Sequence, residues 1–206
     1  MSKLPPLHHN TYYHIYNRGN NRETIFKEKE NYHYFLKLYA KYIEPVAETF
    51  AYCLLPNHYH FLMRIKTEEE QQQTHQTLKV SKTFKVLKPA QQFSNLFNAY
   101  TKAINKRYQR TGSLFENRYG RIPVDSDAYF TQLVAYIHQN PQKHGLIDDF
   151  RAWPYSSYQT LLSPHPTRLN REAVINWFSG IQQLQTCHQL PVNEAGIEPL
   201  IIEDFD

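Results

Sequence analysis

The chain has 206 residues, 41% of them hydrophobic and 20% charged, and its 23 Lys and Arg against 19 Asp and Glu give a formal net charge of +4. A length above about 150 residues lets a chain bury roughly two thirds of its unfolded surface, so one domain with an appendage needs no covalent staple, and wholesale disorder is excluded. Cys53 and Cys187 are the only cysteines and lie far apart, which argues against a disulfide scaffold; no apolar run nears the ~18 residues of a membrane span, and the polar start MSKLPPLHHN lacks the apolar stretch of a signal peptide. The expected setting is intracellular and reducing.

In chain order, Tyr12 to Asn17 reads as a strand running into turn chemistry at Arg18-Gly19-Asn20-Asn21. Between Lys27 and Ile43, Tyr32, Phe35, Leu36, Tyr39, Tyr42 and Ile43 recur at helical spacing, and Pro45 ends the run. Glu48 to Leu54 and Tyr59 to Lys66 are extended runs joined through Pro56-Asn57, a hairpin. Thr67 to Thr77, with EEEQQQ at its centre, shows no apolar period and reads as a surface loop. From Pro89 to Arg110, Phe93, Leu96, Phe97, Tyr100, Ile104 and Tyr108 form a second helical stripe. Tyr119 to Val124 is a short strand suited to a sheet edge by Pro123, and Asp125 or Ser126 caps a third helix with the stripe Tyr129, Phe130, Leu133, Ile137, closed by Asn140-Pro141.

Beyond a linker at Ser163 to Pro166, one terminal helix is expected from about Asn170 to Gln185, followed by a tail with five acidic residues and no base. The order β-α-β-β-α-β with later helices predicts an α+β fold: the ferredoxin-like split βαβ arrangement, a mostly antiparallel sheet with helices on one face plus C-terminal helices. Residues 1–163 are expected to form the main domain and 164–206 a C-terminal helix and acidic tail.

Charge is unevenly spread. Between Lys79 and Arg121 there are ten basic residues and one acid, Glu116, a local balance of +9 that leaves the remainder at −5. Such clustering, with 16 Tyr and 12 Phe as stacking faces, favours a polyanionic partner over a merely solvated helix face.

Pro56-Asn57-His58-Tyr59-His60-Phe61 is the most informative stretch. Alternation along a strand projects His58 and His60 to one side and Tyr59 and Phe61 to the other. Two imidazoles on one rigid face can share a divalent metal ion, although a bare His-x-His is more often a pair of surface or core histidines. A closed structural zinc site is disfavoured because the cysteines lack C-x-x-C spacing. Tyr100 lies on the stripe of the following helix; residue spacing alone does not choose it over Tyr108. Around it, Lys102, Lys106, Arg107 and Arg110 suit a phosphate backbone. Arg18, Arg118 and Arg121 divide evenly between DNA contacts and surface or ion-paired roles.

Four motifs occur in one order: YNRGNNRETIF at 16–26, NHYHFL at 57–62, YTKAINKRYQRTGSLFENRY at 100–119, and YIHQNPQKHG at 136–145 followed by WPYSSY at 153–158. Together they resemble the IS200-like single-tyrosine transposases, and more closely the REP-associated tyrosine transposases. The resemblance runs from about Tyr12 to Tyr158. It implies an HUH endonuclease fold that nicks and rejoins single-stranded or hairpin DNA, with His58 and His60 as ligands of Mg²⁺ or Mn²⁺ and Tyr100 as the nucleophile forming a 5′-phosphotyrosine. The family's third ligand, an amide one helical turn after the tyrosine, falls here on Ile104. That leaves the place open among Asn105, another polar side chain and water.

Two alternatives stand beside this reading: a domesticated, non-cutting DNA-binding protein of the same fold, and a metal-dependent hydrolase of small phosphoesters. The expected setting is bacterial and cytoplasmic, at the nucleoid when DNA is bound, without a membrane partner. A monomer is favoured over a homodimer because of the extra C-terminal helix.

Overall fold

A computed structural model describes residues 6–78 and 85–192. Lys79, Lys82 and the acidic tail from residue 193 lie outside them. Four strands, β1 (Tyr12–Arg18), β2 (Ala47–Leu54), β3 (His58–Ile65) and β4 (Gly120–Val124), form one antiparallel sheet in the order β2-β3-β1-β4. This is the split βαβ arrangement: β3 lies between β1 and β2, and β1 lies between β3 and β4. β4 is an edge, where Pro123, lacking an N–H, is tolerated.

Strand alternation builds two cores. Tyr13 and Ile15 of β1 and Tyr59, Phe61 and Met63 of β3 face α1 (Lys29–Tyr42) and α3 (Pro89–Arg107), whose stripes supply Tyr32, Phe35, Tyr39, Phe93, Leu96, Tyr100 and Ile104. Rings dominate this layer; Phe35 meets Tyr100 edge-on at 5.1 Å and Tyr39 stacks on Phe61 at 4.4 Å. Burying each such side chain is worth roughly 1.5–3 kcal/mol.

The opposite face is covered by α4 (Asp127–Lys143), whose Phe130, Leu133, Val134 and Ile137 meet Phe50 and Cys53 of β2 and Leu62 of β3. Helices therefore cover both faces of the sheet rather than one. Ser126 caps α4 by accepting from the Tyr129 amide. The expected stop at Asn140-Pro141 does not occur: Pro141 lies inside α4, which continues to Lys143. The His144 amide still reaches the Asn140 carbonyl at 3.0 Å, so the final turn closes despite the missing proline N–H.

Two further segments depart from the sequence reading. The stretch expected as a loop is a helix, α2 (Glu68–Leu78). Its start is a capping box: the Thr67 hydroxyl accepts from the Glu70 amide and the Glu70 carboxylate accepts from the Thr67 amide, at 3.3 and 2.7 Å. Arg64 of β3 then grips Glu70 at 2.6 Å, so polar contacts hold a helix that has no apolar stripe.

The single terminal helix is instead two, α6 (Arg171–Trp177) and α7 (Ile181–Cys187), broken at Ser179 and Gly180, which take φ values of 58° and 121°. With the short α5 (Tyr158–Leu162) they place Val174, Phe178, Leu184, Tyr158 and Leu161 in the α4-side core. A buried chain fastens them to α4: His138 contacts Ser157 Oγ at 2.7 Å and His188 Nε2 at 2.8 Å, and His188 Nδ1 contacts the Leu184 carbonyl at 2.7 Å.

Candidate active site

Because Tyr59, Phe61 and Met63 fill the core under α1 and α3, the alternating residues His58 and His60 turn toward α4. On β1, His14 and Tyr16 share that side, with Tyr16 opposite His60 and Arg18 opposite His58 in the register. The His58 and His60 rings stand perpendicular, 5.1 Å apart. Each has its Nδ1 occupied by a neighbour: His58 by Asn57 Oδ1 at 2.7 Å and His60 by His14 Nε2 at 3.0 Å.

The facing wall is α4. Its Tyr136 and Asn140 are separated by one turn and therefore share a helix face. Asn140 is fully buried, and its Oδ1 lies 3.3 Å from His58 Nε2. Tyr136, 2% exposed, sets its ring edge-on to His60 at 5.6 Å and to His14 at 6.5 Å. Lys143 and His144 complete the rim, Lys143 Nζ at 5.2 Å from the Tyr136 ring centre and the His144 ring at 4.9 Å from that of His58.

Among the described residues, no group of three or more His, Cys, Asp or Glu is placed to hold a metal ion. The pair of histidines acquires a third donor only through an amide. Asn57 Oδ1 can only accept, so His58 Nδ1 carries a proton, and in the neutral ring it is the Nε2 lone pair that faces Asn140 Oδ1. Two lone pairs at this distance repel unless a proton or a cation is shared between them. The Asn140 amide nitrogen, moreover, is buried without a hydrogen-bond partner, which costs about 1–3 kcal/mol. Turned over, the amide would donate from its nitrogen to His58 Nε2; with the oxygen toward His58, as found, it offers a further donor atom to a cation. Two imidazole nitrogens and one amide oxygen form a donor set that fits a divalent cation.

Tyr100, expected as the nucleophile, is on the wrong side of the sheet. It belongs to the α1/α3 core, is 0% exposed, and donates its hydroxyl to the Ile25 carbonyl at 2.7 Å. Burial also pushes its phenol well above the usual tyrosine range, opposing phenolate formation. No rotation of that side chain crosses the sheet. Asn105 is corrected for the same reason: it lies on α3, where its amide donates to the Gly112 carbonyl at 2.9 Å and accepts from Arg110. Tyr136 and Asn140 are what the sequence reading missed. The signal was available in YIHQN, a tyrosine with an amide four residues on, the spacing that Tyr100 and Ile104 fail to supply.

The basic residues expected at DNA are dispersed. Lys102 and Lys106 are exposed on α3. Arg107 pairs with Glu28 at 2.5 Å and Arg110 with Glu23, both across to the segment leading into α1. Arg18, at the end of β1 nearest His58, pairs with Glu116 at 2.5 Å. Arg121 stacks on the Tyr119 ring at 4.8 Å, and Arg118 is exposed. Half-exposed pairs of this kind are worth about 0–1 kcal/mol, so an incoming phosphate can exchange for the carboxylate at small cost. Arg18 is the expected DNA contact that the fold brings beside the histidines.

No helix among the described residues is long and apolar enough to cross a membrane. A relative from Haemophilus influenzae, whose name assigns it to the REP-associated tyrosine transposases, is 29% identical over 112 residues, 54% of this chain. The chain spans 58% of the length of that relative. A solved REP-associated tyrosine transposase bound to a REP hairpin superposes with a TM-score of 0.56 at 16% identity, covering 81% of this chain and 88% of that one. At that identity the likeness carries the fold. The family model described as "Transposase IS200 like" matches residues 7–140, a span holding both histidines of β3, Tyr136 and, as its last residue, Asn140; the chain belongs to the IS200-like transposase family.

Proposed function

We propose that this protein nicks and rejoins single-stranded DNA beside a hairpin, with Tyr136 as the nucleophile and His58, His60 and Asn140 as the holders of a divalent cation, Mg²⁺ or Mn²⁺. The observation that carries the reading is the convergence of β3 and α4: His58 Nε2 lies 3.3 Å from Asn140 Oδ1, and Tyr136, one turn before Asn140, packs on His60. When bound there, the cation supplies Lewis-acid polarisation of the scissile phosphate.

The chain's own residues do the rest. The Tyr136 hydroxyl oxygen attacks phosphorus, the bond from phosphorus to the 3′ oxygen breaks, and the leaving oxygen gains the proton that the phenol gives up. The products are a 5′-phosphotyrosine and a free 3′-OH. Reversal consumes both, so rejoining needs no nucleotide cofactor. Lys143, beside the Tyr136 ring, adds positive charge where negative charge develops. Arg18, released from Glu116, is placed to bind the backbone of the strand held at His58.

One observation favours the non-cutting alternative: Tyr136 is 2% exposed, so its hydroxyl must be uncovered before DNA can meet it. A single experiment separates the two. Labelled hairpin oligonucleotides with single-stranded flanks are incubated with the protein and Mn²⁺ and run on a denaturing gel. Wild type is expected to give a protein–DNA adduct that Tyr136→Phe does not. Binding without any adduct from wild type would leave the non-cutting reading.

A further inference from the structure

We propose that His14 is a positioning residue that sets the tautomer of His60, accepting a hydrogen bond from His60 Nδ1 so that His60 presents the Nε2 lone pair to the cation site. This rests on the metal-centre reading above. The two imidazoles are diagonal neighbours on adjacent strands, since His14 opposes Leu62 and His60 opposes Tyr16. Both are buried, with His14 Nε2 3.0 Å from His60 Nδ1 and the rings within 18° of parallel.

A hydrogen bond between two neutral imidazoles needs one donor and one acceptor, so the contact has two forms. In one, His60 Nδ1 donates and its Nε2 can bind a cation. In the other, His14 donates and the proton of His60 sits on Nε2, which blocks binding. His58 supplies the precedent within the same site: its Nδ1 donates to Asn57 Oδ1 and its Nε2 faces Asn140. In the first form the pair would be symmetric in function, each Nδ1 held by a neighbour and each Nε2 left as the nitrogen that would bind the cation. For His60 the holder comes from β1, and Tyr16 braces it, with its ring 5.0 Å from that of His14. Tyr16 itself lies across Gly120, where a Cβ would collide with its ring.

The test uses the full-length metal-free protein labelled with ¹⁵N in its histidines, and long-range ¹H–¹⁵N spectra that report which ring nitrogen is protonated. Mn²⁺ binding is measured by calorimetry on wild type, His14→Gln, which keeps an acceptor, and His14→Phe, which removes it. The expected result is a proton on Nδ1 of His60 in wild type, Mn²⁺ affinity within a few fold of wild type in His14→Gln, and an affinity lower by about ten- to a hundredfold in His14→Phe. A wild-type His60 protonated on Nε2 overturns the proposal even if His14→Phe fails to fold. So does a folded His14→Phe that binds Mn²⁺ as wild type does. If wild type shows the Nδ1 proton but takes up no Mn²⁺, the metal-centre reading fails, and the positioning role with it, whereas a failure of His14 alone leaves wild-type binding intact.

Discussion

The two faces of the sheet both bury aromatic rings, more of them under α1 and α3, and carry opposite chemistry. Under α1 and α3, every large side chain meets another ring or an aliphatic chain, and the Tyr100 hydroxyl is committed to the Ile25 carbonyl. Under α4, the sheet contributes His14, His58 and His60, and the helix answers with Tyr136 and Asn140. Both tyrosines lie on helices and both are buried, so burial does not separate a structural phenol from the proposed nucleophile. What separates them is the company of the hydroxyl and ring: a backbone carbonyl on one side, imidazoles and an amide on the other.

That contrast can be broken from either side. The largest stability effect belongs to the dry face: Phe35→Ala, which removes the ring shared by Tyr59, Phe61, Tyr100 and Phe115, is expected to cost about 3–5 kcal/mol, read from denaturant midpoints. On the α4 side, burial holds the His188 imidazole down to about 4 from an ordinary 6.5. The unfolded chain therefore takes the proton first. Stability is full above about pH 6.5 and declines as pH falls toward 4, by on the order of 3 kcal/mol for this group. Unfolding curves between those limits should show the decline, and His188→Gln should lessen it, with the rest retained by His138, whose burial also holds its imidazole well below the usual range.

Asn140→Ala removes an amide whose nitrogen has no partner, so the fold should hold while Mn²⁺ affinity drops by about ten- to a hundredfold in calorimetry. The smallest effect is expected at Tyr100→Phe. It removes one buried hydrogen bond, worth about 1 kcal/mol, and should leave adduct formation intact on the gel that Tyr136→Phe blanks. An adduct lost in Tyr100→Phe but kept in Tyr136→Phe would reverse the assignment of the two faces.

Local pattern was sufficient for much of the fold. The run of alternating residues through NHYHFL places His58 and His60 on one side of a strand, and the stripes of α1, α3 and α4 are readable at three- and four-residue spacing. It was insufficient where polar contacts or single dihedrals decide. α2 is held by the Thr67–Glu70 box and by Arg64, a residue from another element, and Ser179 and Gly180 break a continuous periodicity with two positive φ values.

The histidine pair was therefore visible from the chain alone, because alternation along a strand is a property of the backbone. Its partner was not, because two helices each carry a tyrosine in an apolar stripe, and a stripe says which side of a helix is buried, not which side of the sheet it is buried against. The assembled sheet decided that. Tyr59 and Phe61 take the apolar residues of β3 to the face where α1 and α3 pack, which leaves His58 and His60 to α4, the helix that carries Tyr136.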